Sequence, residues 1–145
     1  LRKIILLNGI PGAGKTTYTK TLPPSAVICS ADHGMMVGDK YVFHPRKLGP
    51  AHKACKTKAF AAIARGEPLV VIDNTNIKFR DFKEYIDAGK AAGYEIEIVR
   101  LDCAPEIAIK RGTHNVPADV VRRMASDLAS RKLPDGMTET VIKTG

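Results

Sequence analysis

The sequence predicts an α/β fold: one domain over residues 1–145, built on a mostly parallel sheet with helices on both faces and a C-terminal helical lid. Three observations carry that prediction. Short apolar runs alternate with helical stretches along the chain, the pattern of strand–helix–strand units. The runs are short and continuously apolar, as strands are when both faces of a parallel sheet are covered. Polar clusters follow the first three runs, at Gly9, Asp32 and Asp73, and in a parallel sheet such strand ends gather on the edge where ligands bind.

The elements follow in order. Lys3 to Asn8, centred on Ile4-Ile5-Leu6-Leu7, is the first strand and runs into Gly9. Gly14 to about Leu22 reads as a helix that Pro23-Pro24 stops, because proline lacks the N–H that would continue it. Ala26 to Cys29 is the second strand, ending in Ser30-Ala31-Asp32-His33. Gly34 to Gly49 is irregular, with Tyr41 to Pro45 its most extended part. Ala51 to Arg65 is an alanine-rich helix closed by Gly66, and Leu69 to Ile72 is a third strand that ends in Asp73-Asn74-Thr75-Asn76. Phe79 to Ala92 is amphipathic, with Phe79, Phe82, Tyr85 and Ile86 on its inner face and Gly93 as its cap. Tyr94 to Leu101 is the fourth strand, Pro105 opens a short helix through Lys110, and Arg111 to Pro117 is a loop. Ala118 to about Lys132 is a further helix, and Val141-Ile142 forms a fifth strand. The lid would occupy about 105–132.

Charge points to a class of partner. Lys and Arg number 23 against 15 Asp and Glu, a formal net charge of +8, which favours a polyanion such as nucleic acid over a neutral ligand. The same excess also fits a solvated basic surface. Cys29, Cys55 and Cys103 are scattered, with no C-x-x-C pair, and read as small buried residues of a cytoplasmic protein rather than a disulfide or zinc framework. The opening apolar run is too short to span a membrane, so no membrane association is expected. His33, His44, His52 and His114 lack paired metal spacing and read as surface or locally bonded side chains, and Met35, Met36 and Met124 as packing.

Gly9-Ile10-Pro11-Gly12-Ala13-Gly14-Lys15-Thr16 fits G-x-x-x-x-G-K-[ST] at every fixed position, between a strand and a helix. Glycines let the backbone wrap phosphate oxygens, and its N–H groups with the helix start form a positive nest. The loop therefore predicts a site for ATP with Mg²⁺ on Gly9, Pro11, Gly12, Ala13, Gly14, Lys15, Thr16 and Thr17. Lys15 would meet the β and γ phosphates, and Thr16 the metal. Asp73 is either a second metal contact of the Walker-B kind or a turn aspartate. Asp32 is either a loop residue or a general base aimed at a substrate hydroxyl. Among Lys110, Arg111, Arg122, Arg123, Arg131 and Lys132, most fit a solvated helix face, while Arg111, beside Gly112, suits the gripping of a transferring phosphate.

Taken together, the glycine loop, Ser30-Ala31-Asp32, Ile72-Asp73-Asn74-Thr75-Asn76 and Arg111-Gly112-Thr113-His114-Asn115-Val116-Pro117 form a series. It resembles the kinase domain of phage-type polynucleotide 5′-kinase/phosphatase, from Ile4 to about Leu128. The resemblance implies an enzyme of nucleic-acid repair, moving the γ-phosphate of ATP to the 5′-hydroxyl of DNA or RNA. It implies Asp32 as the general base, Lys15 and Arg111 as the other catalytic residues, and Thr75, Asn76 and Val116 beside Asp32 at the acceptor. Ala31 and Met35 stand where the family pattern R-D-D-Y-R carries arginines, so a grip on an acceptor 3′-phosphate does not carry over. No D-x-D-G-T motif is present, and no phosphatase activity is expected. Two rivals fit the same loop: a kinase of a small metabolite such as a nucleoside or sugar, and a nucleotide-binding module without transferase chemistry.

Overall fold

The computed structural model describes residues 1–32, 36–37, 40–41, 44–112 and 115–145; readings that rest on His33, Gly34, Met35, Thr113 and His114 lie outside these. The central strand, β1 (Lys3–Asn8), shows why the sheet must be covered twice. Ile4 and Leu6 point into one apolar cluster, Ile5 and Leu7 into another, as the two-residue period of a strand dictates. β2 (Val27–Cys29), β5 (Leu69–Asp73), β6 (Glu95–Asp102) and β7 (Glu139–Lys143) complete a five-stranded sheet in the order β2-β5-β1-β6-β7. Every pairing in it is parallel. Two residues each of β3 (Met36–Val37) and β4 (Lys40–Tyr41) form a separate antiparallel pair within the stretch read as irregular.

On one face lie α2 (Leu48–Arg65) and α3 (Lys83–Ala91), which bury Ala59, Ala62, Ile63, Tyr85 and Ile86 against Ile4, Leu6, Val70 and Ile72. α3 approaches so closely at Gly89 that an added Cβ would fall 2.4 Å from the Ile4 Cδ1, which explains a glycine in a helix interior. On the other face lie α1 (Lys15–Thr19), α4 (Pro105–Arg111) and α5 (Ala118–Ser130), contributing Tyr18, Ala108, Val121 and Leu128. The segment 105–132 is thus two helices packed on the sheet and joined to each other by the Arg122–Glu106 pair, at 3.0 and 3.3 Å.

Several boundaries differ from expectation. α1 is one short turn ending at Thr19, well before Pro23, and Gly14 is its left-handed N-cap rather than its first residue. α2 begins three residues early because Pro45–Lys47 forms a 3₁₀ turn that leads straight into it. The amphipathic stretch from Phe79 divides into a 3₁₀ turn, Phe79–Asp81, and α3; the Lys78 N–H donates to the Asp81 carboxylate at 3.0 Å and fixes the first piece. Arg111 is the last residue of α4, not part of the loop.

Arg131, just past α5, is the clearest correction, since a solvated position was expected of it. Its side chain is only 5% exposed. It donates to Asn8 Oδ1 at 2.6 Å, to the carbonyls of Asn76 and Ile77, and to Glu139 at 2.5 Å, with Phe82 under its guanidinium. One side chain thereby ties the end of β1, the turn after β5, and β7.

Candidate functional site

β1 ends at Asn8 and the chain turns over Gly9 to Gly14 before α1 begins at Lys15. Gly12 holds a φ of 85°, and a Cβ there would lie 2.5 Å from the Ala108 carbonyl oxygen, so only glycine lets the loop nest against α4. The loop is held from outside by two late elements. Arg111 donates to the Gly12 carbonyl at 2.8 Å and to the Thr144 carbonyl at 2.8 Å, and the Thr144 hydroxyl donates to the Ala13 carbonyl at 2.7 Å.

Lys15 is buried, and its ammonium donates to the carbonyls of Gly9 and Ile10 at 2.8 and 3.0 Å. Burial pulls its pKa down, while Asp73 and Asp32, followed by Cys103, oppose that pull. Asp73, at the end of β5 and opposite Leu7 in the sheet register, is pushed up to about 6 by burial, against the pull of Lys15 and with a further push from Asp32. Asp32 follows β2; its N–H donates to the Ser30 hydroxyl, and the preceding Ala31 N–H donates to Asn74 Oδ1 at 2.8 Å. Asn74 in turn donates to the Cys55 sulfur, so the turn carrying Asp32 is anchored to the turn after β5 and to α2.

Two cavities open here. One, of about 400 Å³, is lined by Gly12, Gly14, Lys15, Thr16, Thr17, Asp32, Asp73 and Arg111, with Tyr18, Thr21, Leu101, Ile142 and Thr144. The other, of about 410 Å³, lies between Leu48 and His52 of α2 and Val116, Pro117, Val120 and Met124, with Pro11, Ala31, Asn74, Thr75 and Asn115 on its remaining walls. Lys15 and Asp32 line both.

The expected residues are therefore mostly brought together. Asn76 is not. It is buried with φ 45°, lines neither cavity, and its side-chain amide donates to the carbonyls of Leu7 and Ile72 at 2.8 and 3.4 Å, holding β1 to β5. Asn74 takes the wall position instead. Leu48, His52, Ile142 and Thr144 were missed. The helical spacing from Lys15 to Tyr18 could have flagged Tyr18, whereas nothing local in the sequence places β7 beside the glycine loop.

The family described as an AAA domain matches residues 4–133. The chain belongs to this AAA-domain family. NEDD4-binding protein 2 of Homo sapiens is 30% identical over an alignment 128 residues long that covers 83% of this chain and only 7% of that protein's length. A chain of the Pnkp1/Rnl/Hen1 RNA repair complex superposes with a TM-score of 0.69 at 21% identity, over 88% of this chain and 44% of its own. A sugar kinase from Janibacter sp. HTCC2649 superposes at 0.62 with 15% identity, over 99% and 86%. At such identities the likeness speaks for the fold, which is that of P-loop kinases; the resemblance drawn from the motifs holds at that level. No helix among the described residues is long and apolar enough to cross a membrane.

Proposed function

We propose that this chain is an ATP-dependent phosphotransferase whose acceptor is the 5′-hydroxyl of a polynucleotide, DNA or RNA. One observation carries the reading: the two cavities share a wall made of Lys15 and Asp32. A donor phosphate chain in the glycine-loop cavity and an acceptor hydroxyl in the other would meet at those two side chains.

The residues divide the work. The backbone from Gly9 to Thr17 cradles the phosphates, and Lys15 and Arg111 offset the charge on the transferring group. Asp32 accepts the acceptor hydroxyl's proton as that oxygen bonds the γ-phosphorus and the bond to the β–γ bridging oxygen breaks, leaving ADP. Such assistance is worth about 10²–10⁴ in rate. Thr75 and Val116 line the acceptor cavity with Asp32.

Thr16 and Asp73, a hydroxyl and a carboxylate on one cavity wall, suit Mg²⁺. Among the described residues no group of three His, Cys, Asp or Glu forms a cage, so such an ion would take its other ligands from phosphates and water. When bound it supplies positive charge to the phosphates.

The acceptor cavity's apolar walls, Leu48, Val116, Val120 and Met124, suit a nucleobase better than a polyol, although a sugar kinase shares the fold. Transfer of label from γ-labelled ATP to 5′-hydroxyl oligonucleotides, measured beside nucleosides and sugars, tests this. Oligonucleotides should be the best acceptors. Label going only to sugars would replace the reading, and turnover indifferent to any acceptor would remove it.

A further inference from the structure

The chain's positive charge is concentrated in one place. Between residues 40 and 66 the sequence holds seven Lys and Arg and no Asp or Glu, so the rest of the chain is close to neutral. In the fold this stretch includes the 3₁₀ turn Pro45–Lys47 and all of α2. Ala51, Cys55, Ala59, Ala62 and Ile63 face inward, which leaves the charges outside.

Some of these charges are engaged. Lys56 pairs with Glu84 at 3.3 Å, Arg65 pairs with Glu67 at 3.5 Å, and Lys58 donates to the Ile28 carbonyl at 2.6 Å. Arg46, Lys47 and Lys53 are exposed and make no ion pair among the described residues. They flank Leu48 and His52, the two α2 residues on the wall of the acceptor cavity. The unneutralised charge is therefore next along the chain to the α2 residues that line the cavity shared with Asp32.

We infer that the N-terminal end of α2, through Arg46, Lys47 and Lys53, is the track for the phosphates of the acceptor strand that follow its 5′-terminal nucleotide. The inference rests on the polynucleotide reading and assigns the surface that makes the acceptor a strand rather than a nucleoside. A terminal nucleoside fills the cavity between α2 and Val116–Met124; the next backbone phosphates emerge past Leu48 and His52 and meet three cations. Contacts of this kind act through counterion release, so they set affinity and salt dependence and leave base preference to the cavity. A membrane surface suits the patch less well: the outward side of α2 offers Leu48 and Phe60 as its exposed large apolar residues, too few for an inserting face.

The test is the triple variant Arg46→Ala/Lys47→Ala/Lys53→Ala, assayed with a 5′-hydroxyl single-stranded 12-mer, a free nucleoside and Mg²⁺-ATP, with melting temperature as the folding check. Each lost phosphate contact should reduce the slope of log K against log salt by about 0.7, roughly 2 in all, which weakens 12-mer binding about a hundredfold at 0.1 M salt. ATP affinity and the KM of the nucleoside, which has no phosphate to place on the track, should not move. The variant Arg46→Lys/Lys53→Arg, which keeps the charge, should retain the wild-type slope. An unchanged 12-mer affinity and slope in the triple variant would overturn the track while leaving wild-type oligonucleotide kinase activity intact. If the wild type phosphorylates no oligonucleotide at all, the polynucleotide reading is what fails. Binding of wild type, but not the triple variant, to anionic phosphatidylserine vesicles with no slope change on the 12-mer would reassign the patch to a membrane.

Discussion

The position of Asp32 depends on a neighbour that does no chemistry. Its turn is held because the Ala31 N–H finds Asn74 Oδ1, and Asn74 is itself held by Cys55. Asp32→Asn keeps the shape of the side chain and the backbone bonding of its turn, and removes the carboxylate's charge and with it the capacity to take a proton. Phosphorylation of a 5′-hydroxyl oligonucleotide should therefore fall about 10²–10⁴-fold while melting temperature and ATP affinity hold steady. Normal turnover by that variant would make Asp32 an ordinary turn residue, and lost ATP affinity would move it to the metal site. At this scale the sequence was readable where a residue's role is set by its immediate neighbours. Lys15 and the glycines around it announce themselves by spacing alone. Asn76 and Arg131 did not, because what decides them is an oxygen far along the chain: the Leu7 carbonyl for one, Asn8 Oδ1 for the other.

Among elements, the strands were the most legible, since continuous apolar runs have few other places to go in a covered sheet. Helix ends were less so. α1 stops at Thr19 with no breaker at that point, and the stretch from Phe79 looks like one helix by periodicity yet divides where Lys78 and Asp81 bond across a turn. β7, signalled only by Val141-Ile142, is fixed by its parallel register with β6 and by Glu139, which serves Arg131 and also lies 3.0 Å from the Arg100 guanidinium, off the hydrogen-bond axis. Arg131→Met should test how much the junction is worth. It leaves Glu139 with Arg100 as its one remaining cation among the described residues and frees Asn8 Oδ1 and the carbonyls of Asn76 and Ile77, for an expected loss of about 1–3 kcal/mol by urea denaturation. If the single variant costs under about 1 kcal/mol, the junction is decoration and β7 is held by its ladder alone.

For the molecule as a whole, the three thiols report on the core. Cys29, Cys55 and Cys103 are free and buried, and burial, helped by Cys55, pushes the Cys29 thiol up to about 11 from its ordinary value of 9.0. The unfolded chain releases that proton first, so the native state binds more protons between pH 9 and 11. Stability must then fall as pH rises through that window, by at most about 3 kcal/mol from this group. Urea midpoints at pH 8 and 10.5 should show the fall, and Cys29→Ala should flatten it; a parallel curve for the variant would assign the alkaline loss to other groups. The clamp on the glycine loop has its own consequence, one of time rather than of energy. Gly12 is held by a side chain 99 positions later and Ala13 by one 131 positions later. During synthesis the complete G-x-x-x-x-G-K-T motif emerges about a hundred residues before the elements that clamp it, and the loop cannot close until α4 and then β7 have docked. Contacts of such long range form late in folding. Nucleotide binding in this molecule should thus appear in step with the final docking of the sheet, making it a reporter of completed folding rather than of local structure.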